Sequence, residues 1–385
     1  MKFAHMGDCH LGGWRQLELQ KLNFQHFEYA IDKCIKEKID FVLIAGDLFD
    51  SAYPPIDTIK EAFNEFRKLK ESGIPVFLIA GSHDYSVSGK SFLDVLEKAG
   101  FAKNVFKSEE KNGSIILYPT IYKDVAIYGY PGKKSGLEVL ELEKIKLQET
   151  PGLFNILMLH TSLRDAVGNL AIPAVNEEKL PKVNYTALAH LHIRYNKNNR
   201  VYCGPTFPNN ATELEDIGGG SFYIVNIKTG KIERQEIRIK EVVILNIEIK
   251  DALNGTEKIL EEIKKYDLKD KILILKLKGI LENGKASDID FSHIENFVKE
   301  RGVYVLLKNT NKLQTQELEI KIELSSENIE DIEEEVIYKF QKENPHKFNY
   351  LISQLIHTLQ IEKKEDEKSK IFEDRLLSEL RKIIF

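Results

Sequence analysis

Hydrophobic and polar positions alternate in two ways along the first 239 residues of the chain. Short, largely apolar runs rich in β-branched residues are typical of buried strands, and they lie at 3–6, 39–45, 76–80, 156–159 and 185–189. Between them, apolar residues recur at helical spacing, as at Phe27, Ala30, Ile31 and Cys34. Further strand patterns lie at 114–118, 124–130, 201–203 and 221–227. The alternation predicts an α/β domain over residues 1–239, with two packed sheets and helices outside them.

The pattern changes near residue 240. It predicts three strands and two helices in alternation, at 241–249, 256–266, 271–278, 289–300 and 303–308. This is the order of a small βαβαβ domain, for which we expect the bounds 240–324.

The last segment, 325–385, has the pattern of three amphipathic helices. Their apolar stripes lie within 329–340, 348–359 and 372–384, and a highly charged stretch at 362–370 has the composition of a tether. Such helices either pack on one another or bind a groove on a partner, and the pattern leaves both open.

Composition narrows the class of protein. The 385 residues are 42% hydrophobic, which is ample for a large core, and no segment approaches the roughly 20 apolar residues of a membrane span. We therefore expect no membrane association and a cytoplasmic location. The three cysteines include no C-x-x-C pair, so reduced thiols are expected. The net charge of −5 means that a nucleic-acid substrate would need a local basic patch.

Each of the five apolar runs is followed by side chains that bind hard metal ions. They are Asp8 and His10, Asp47, the stretch 81–84, His160, and His190 with His192. Loops that follow parallel strands meet at one edge of a sheet, so we expect these groups to converge. Carboxylate and imidazole ligands suit divalent cations such as manganese, and hydrolases often hold two of them. Asp47, directly after Gly46, is placed to bridge two ions.

A histidine taken alone is more often structural than a ligand. Five of the ten histidines follow strand-like runs, however: His10, His83, His160, His190 and His192. The other five lack that context and are interpreted as structural or surface residues: His5, His26, His293, His346 and His357.

The order Asp-x-His, Gly-Asp, Gly-Ser-His-Asp, His and His-x-His resembles the calcineurin-like metallophosphoesterases. The stretches 1–12, 44–49 and 187–192 resemble the SbcD-type nucleases of double-strand-break repair within that family. The resemblance implies an α/β/β/α metallophosphoesterase sandwich with a small capping domain and C-terminal helices. It implies a manganese-dependent DNA nuclease with exonuclease and single-strand endonuclease activity. The implied cofactor is two Mn²⁺ ions, with Mg²⁺ as an alternative. It also implies a homodimer whose C-terminal helices bind an SMC-like ABC ATPase.

The same resemblance implies roles for individual residues. One metal ion would be held by Asp8, His10, Asp47 and His192. The other would be held by Asp47, Ser82, His160 and His190. His83 would stand beside the metals and help proton transfer to the leaving 3′ oxygen, and Asp84 would orient its imidazole.

The sequence departs from the family pattern in three places. Ser82 stands where the family has Asn, which predicts a weaker second metal site. Ala189 replaces a usual Gly, and residues 203–206 replace the usual Pro-Gly-Ser. Two other functions remain as alternatives. One is a generic metallophosphoesterase, and the other is a non-catalytic scaffold that binds DNA ends, with a site weakened by Ser82.

Several residues are left with two interpretations each. The basic loop 132–136, Trp14, Arg15, Lys90 and Arg194 are either substrate contacts or ordinary solvated residues. Phe24, Phe27 and Tyr29 form either a dimer seam or part of the core. The three glycines at 218–220 are a loop without a phosphate-binding motif, because no Lys-Ser/Thr follows them.

Overall fold

The computed structural model divides the chain into two compact units, Met1–Thr315 and Gln316–Phe385. The structure describes residues 1–86, 91–134, 136–168, 170–315, 337, 341, 349–361, 363 and 369–384. In chain order, the strands that precede residue 240 are β1 (Lys2–Met6), β2 (Phe41–Ile44), β3 (Val76–Leu78), β4 (Lys103–Asn104), β5 (Ser108–Lys111), β6 (Ser114–Leu117), β7 (Thr120–Tyr122), β8 (Val125–Tyr130), β9 (Ile145–Leu147), β10 (Phe154–His160), β11 (Tyr185–Ala189), β12 (Tyr195–Lys197), β13 (Arg200–Tyr202), β14 (Gly220–Asn226) and β15 (Lys231–Ile237). The helices of the same segment are α1 (Leu17–Lys36), α2 (Ile56–Glu71), α3 (Phe92–Lys98), α4 (Glu138–Leu142), α5 (Arg164–Val167) and α6 (Ala211–Ile217).

Two six-stranded sheets form the body of the first unit. The first sheet has the order β15-β14-β1-β2-β3-β4, and β1 to β4 run parallel. The second has the order β12-β13-β11-β10-β8-β7, and its four central strands run parallel. A small additional sheet has three strands, in the order β5-β6-β9. The carboxyl ends of the central strands carry the predicted site residues.

The layers explain why the strands are apolar on both faces. In β10, Ile156 and Met158 join the core that also contains Phe3 and Leu43 of the first sheet. Leu157 and Leu159 of the same strand face a different core. A strand with both faces buried reads as a continuous apolar run. The two packed sheets predicted from those runs, and the α/β/β/α sandwich implied by the family resemblance, are confirmed.

Helices cover the outer face of the first sheet. Phe27 of α1 and Phe66 of α2 pack with Ile44 and Leu78 in one core cluster. The apolar stripe predicted for α1 is buried, since Phe27, Ala30, Ile31 and Cys34 have no exposed surface.

A further sheet, called the third sheet from here on, contains β16 (Val242–Glu248), β17 (Ile272–Leu281) and β18 (Val305–Thr315), all parallel. Two helices, α7 (Gly255–Lys264) and α8 (Phe291–Glu300), connect them. The predicted βαβαβ order is confirmed, although β18 runs further than expected. The third sheet belongs to the same compact unit as the two large sheets. The expected boundary at 239/240 falls in the loop between β15 and β16, and the one at 324/325 lies outside the described residues.

In the second unit the structure describes α9 (Ile352–Leu359) and α10 (Ser369–Ile384), which contact each other. Most of the first predicted tail helix and of the charged stretch between the other two lies outside the described residues. Among the helices that the structure describes, none has the length and hydropathy to cross a membrane.

Candidate metal centre

The loops after β1 and β2 are held together by their backbones. The Asp8 amide donates to the Gly46 carbonyl at 3.1 Å, and the His10 amide donates to the Asp47 carbonyl at 3.0 Å. These bonds continue the pairing of the two parallel strands beyond their ends. Asp8, His10 and Asp47 therefore lie at one edge of the sheet, as strand ends require.

Five of the predicted ligands have a left-handed backbone. The φ angles are 48° for Asp8, 43° for His10, 50° for Asp47, 103° for His190 and 52° for His192. A non-glycine residue in this region costs on the order of 1–3 kcal/mol, and such strain clusters at functional sites. All five residues lie in the loops directly after β1, β2 and β11.

The carboxylates of Asp8 and Asp47 are buried. Both oxygens of Asp8 accept the His190 amide, at 2.9 and 3.0 Å, which ties the loop after β11 to that after β1. Asp47 accepts the His83 amide on Oδ1 at 2.8 Å and the Ser82 hydroxyl on Oδ2 at 3.3 Å. Asp47 is thus shared between the loops after β2 and β3.

Four imidazoles lie around these carboxylates. The Nε2 atoms of His10 and His192 lie 3.0 Å apart, and Nε2 of His10 is 3.6 Å from Asp47 Oδ2. Nε2 of His160 is 3.1 Å from the same Asp47 oxygen. The ring of His190 stacks edge-on against that of His160, with 5.0 Å between centroids. All five strand-end clusters therefore supply side chains to one small volume, since Ser82 contacts Asp47 and the His83 ring lies 4.7 Å from that of His10.

The donor set fits divalent metal ions. Nδ1 of His160 donates to the Ala45 carbonyl at 3.0 Å, so the lone pair is on Nε2. That Nε2 is buried, and its 3.1 Å approach to Asp47 Oδ2 is a close contact between two ligand atoms that does not have hydrogen-bond geometry. Asp8, His10 and His192 bring ligand atoms within 4.8 Å of one another, and so do Asp8, Asp47 and His160. Imidazole nitrogens that face one another beside carboxylates are the arrangement a cation would hold together.

The charges and burial of the site shift the pKa values of its histidines in opposite directions. Burial lowers the pKa of His160, but the Asp47 carboxylate outweighs it and raises the pKa to about 9. Burial likewise opposes the Asp8 charge and the Glu213 hydrogen bond at His192, whose pKa rises to about 9. Burial and the neighbouring His160 lower the pKa of His190 to about 4. The pKa of Asp47 lies below its ordinary value because the positive charge of His160 exceeds the effect of burial.

Asp84 has a different set of contacts from the one expected. Its carboxylate accepts the amides of Leu48 and Phe49, at 3.1 and 3.0 Å, and that of Gly81 at 3.1 Å. It therefore joins the loops after β2 and β3 and has no hydrogen bond to the His83 imidazole. The His83 ring instead donates from Nδ1 to the Asp50 carbonyl at 2.9 Å, and that nitrogen is 3.5 Å from Asp50 Oδ1.

Two residues of the centre were missed by the sequence reasoning. Asp50 Oδ1 lies 3.1 Å from Nδ1 of His10, and Glu213 Oε2 lies 3.0 Å from Nδ1 of His192. Asp50 is three residues after Asp47, so its position beside that motif is a signal that could have pointed to it. Glu213 is on α6 and follows no strand, and nothing in the local sequence marks it.

Glycines allow the loops to approach the ligands. A Cβ on Gly81 would lie 2.1 Å from Asp47 Oδ1, and one on Gly46 would lie 2.4 Å from Nδ1 of His160. A Cβ on Gly132, the first residue of the basic loop, would lie 2.5 Å from the His160 ring. Lys133 of that loop pairs with Glu141. The first residue of the basic loop therefore lies directly beside the site.

The remaining candidates divide between core and surface. Trp14 is buried and donates its ring N–H to the Pro208 carbonyl, and Phe27 is a core residue. Arg15 and Tyr29 are exposed, whereas Phe24 packs against the core. Arg194 is half-buried and donates to the carbonyl of Gly219.

The histidines outside the five clusters are also accounted for where they are described. His5 and His26 are buried and hydrogen-bonded to Tyr185 and Leu22, and His293 is exposed. Lys90, His346 and the side chain of His357 lie outside the described residues.

The family model of the calcineurin-like phosphoesterases matches residues 1–194 of the chain. The chain belongs to this family, whose fold implies divalent metal ions, in agreement with the donor set. It is also similar to three archaeal proteins, each named DNA double-strand break repair protein Mre11. Identity is 33% to that of Methanocaldococcus jannaschii, covering 72% of this chain and 82% of the relative. Within the family, the chain is one of the SbcD/Mre11-type proteins.

The other two relatives extend the similarity over more of the chain. Identity to the Methanococcus maripaludis protein is 29%, covering 88% of this chain and 90% of the relative. For Archaeoglobus fulgidus the identity is 25%, covering 84% of this chain and 77% of the relative. The similarity therefore covers most of the chain.

Proposed function

We propose that the protein is a manganese-dependent nuclease that processes DNA ends in double-strand-break repair. The observation that carries this proposal is the convergence of buried carboxylates and imidazoles from separate strand ends on one centre. The names of the archaeal relatives supply the substrate class. The proposed activities are exonuclease on ends and endonuclease on single strands.

The proposed ligand sets share Asp47. Asp8, His10, Asp47 and His192 would hold one Mn²⁺, and Asp47, Ser82, His160 and His190 would hold the other, with Mg²⁺ as a possible replacement. Ions bound there supply charge that polarises a phosphate and acidifies a water. The distances of His10, His160 and His192 from the two buried aspartates support the assignment. For His190, support comes from its ring contact with His160.

His83 is the proposed proton donor. Its imidazole is 45% exposed, and its ring stands edge-on to that of His10 at 4.7 Å between centroids. Because Nδ1 donates to the Asp50 carbonyl, Nε2 is the nitrogen free to give a proton to a leaving 3′ oxygen. The Asp50 carboxylate lies 3.5 Å from the same Nδ1, so both polar groups of Asp50 face this side of the ring. We therefore propose Asp50, in place of Asp84, as the residue that orients His83.

The proposal also covers the remaining domains of the chain and the partners that they bind. We propose that residues 240–324 form a capping domain that helps to position DNA and that the protein acts as a homodimer. We propose that the C-terminal helices bind the coiled coil of an SMC-like ABC ATPase. Tyr350, Leu359 and Leu377 of the second unit are 73%, 58% and 51% exposed, which supports a docking role. We also propose a cytoplasmic location, near the chromosome, where the three buried cysteines would remain free thiols.

The test of the proposed function compares two phosphoester substrates. The protein, alone and with its ATPase partner, is given end-labelled linear DNA and a chromogenic phosphomonoester, both with Mn²⁺. We expect DNA cleavage, and we expect His83→Ser to slow it by about 100-fold or more. The control is His293→Ser, which changes an exposed histidine of α8. This variant should cleave DNA as the parent does.

The two alternatives give different results. A generic phosphoesterase would hydrolyse the monoester and leave DNA intact. A scaffold would bind DNA ends and cleave neither substrate, even with the ATPase. Cleavage by His83→Ser at the parent rate would remove His83 from the proton-transfer role.

A further inference from the structure

Helix α6 lies between the metal centre and the third sheet. On one side, Leu214 is buried in an apolar cluster with Ile272, Ile274 and Leu307 of β17 and β18. Glu215 of the same helix forms an ion pair with Lys276 of β17. The helix is therefore anchored to the sheet that we propose as the capping domain.

On the other side of α6, the Glu213 carboxylate accepts three hydrogen bonds. Oε2 accepts from Nδ1 of His192 at 3.0 Å and from the Asn209 amide at 2.9 Å. Oε1 accepts from the Asn210 side chain at 2.6 Å. Asn210 also caps the helix, since its side-chain oxygen accepts the Glu213 amide at 2.9 Å. Both the backbone and the carboxylate of Glu213 are thus fixed.

These contacts determine which nitrogen of His192 carries the proton. An ionised carboxylate only accepts hydrogen bonds, so Nδ1 of His192 must donate. The lone pair of the neutral ring is then on Nε2, which is 3.0 Å from Nε2 of His10 and 3.9 Å from Asp8 Oδ1. A histidine that binds a metal ion commonly donates its other N–H to a carboxylate in this way.

We propose that Glu213 is a positioning residue that holds His192 in its metal-binding tautomer and orientation. Because α6 is anchored on the third sheet, that sheet fixes the position of Glu213 and, through it, of His192. The inference rests on the proposed metal site and does not depend on DNA as the substrate. The His192 side chain is 17% exposed, and the Glu213 carboxylate is the hydrogen-bond acceptor for its Nδ1.

The experiment measures Mn²⁺ binding by calorimetry with the metal-free, full-length protein and without DNA. Glu213→Ala should lower the affinity of one of the two sites by about 10- to 100-fold. Glu213→Gln keeps a neutral oxygen that accepts the Nδ1 proton, so it should retain most of that affinity. The melting temperature of the metal-free Glu213→Ala protein should remain close to that of the parent.

The matched control is Glu215→Ala, two residues further along α6. It removes the ion pair with Lys276 but no contact with His192, and Leu214 still holds α6 in the apolar cluster, so Mn²⁺ binding should be unchanged. An equal loss of affinity in Glu215→Ala and Glu213→Ala would overturn the inference, because the loss would then come from the helix as a whole. Parent-like binding by Glu213→Ala would also overturn it. If the parent itself bound no Mn²⁺, both the inference and the proposed metal site would fail.

Discussion

Among the single residues of the centre, Ser82 has the least favourable side chain for its proposed role. Its hydroxyl donates to Asp47 Oδ2 at 3.3 Å and is half-buried. A serine oxygen is one atom nearer the backbone than an amide oxygen of asparagine and is a weaker neutral ligand. The short side chain contacts the proposed bridging carboxylate and would hold a second metal ion less well.

Ser82→Asn should strengthen the second site. The longer amide places a carbonyl oxygen nearer the proposed ion, so Mn²⁺ should bind more tightly and DNA should be cleaved faster. Calorimetry and the DNA assay measure the two effects, and Ser72→Asn, at an exposed position after α2, is the matched control. If neither affinity nor rate changes, position 82 is not a ligand.

Metal binding should also depend on pH. The pKa of about 9 for His160 and His192 means that both rings are protonated near neutral pH before metal binds. Since a ligating imidazole must be neutral, binding releases protons, and affinity should rise from about pH 7 to about pH 8.5. Calorimetry in two buffers with different ionisation enthalpies measures that release. Equal heats in both buffers at about pH 7 would contradict the assignment of these rings as ligands.

The residue types at strand ends were visible in the sequence, but their partners were not. Asp8 and Asp47 could be predicted because each follows a buried strand directly. Glu213 approaches His192 only through the packing of α6, across 21 residues of chain. The left-handed backbone of His190 is likewise a consequence of tertiary contacts, since no proline or glycine at that position marks it.

At the scale of elements, the metal centre depends on how closely the loops after β2 and β3 approach each other. Gly81 follows the end of β3 and lies against Asp47, and the Asp84 carboxylate holds the two loops together by backbone hydrogen bonds. Only a residue without a side chain fits at position 81.

Gly81→Ala should therefore disrupt the site. Its Cβ would be 2.1 Å from Asp47 Oδ1, so the carboxylate must move, and Mn²⁺ affinity should fall by at least 10-fold. Gly73→Ala is the control, because a Cβ there meets no atom within 4 Å. Its positive φ should cost stability of about 1 kcal/mol without changing metal binding. Unchanged Mn²⁺ affinity in Gly81→Ala would show that Asp47 is not held by this contact.

Strands with two buried faces were predictable, whereas edge strands were not. β2 and β10 have uninterrupted apolar runs because a core lies on each side of their sheets. β5 is exposed along its whole length and β15 along most of it, so their sequences carry little apolar signal. Pairing with a neighbour, and not burial, makes them strands.

At the scale of the whole molecule, the third sheet is a part of the first compact unit and has two buried faces. Leu273 and Leu275 of β17 pack under α7 and α8, and Ile272 and Ile274 pack against Trp14 and Leu214. The net charge of −5 gives the chain no general affinity for DNA. Substrate binding in the proposed function must therefore be local to the metal centre and the surfaces around it.

The most direct test of the account is the rate at which linear DNA is cleaved as Mn²⁺ is added, for the parent and for Asp47→Asn. Asp47 is the carboxylate shared by both proposed ions, so the parent rate should rise with Mn²⁺. The rate of the variant should be lower by about 100-fold or more. Asp57→Asn, a change in the first turn of α2, should cleave as the parent does. Cleavage without added metal, or parent-like cleavage by Asp47→Asn, would contradict a metal-dependent nuclease built on this centre.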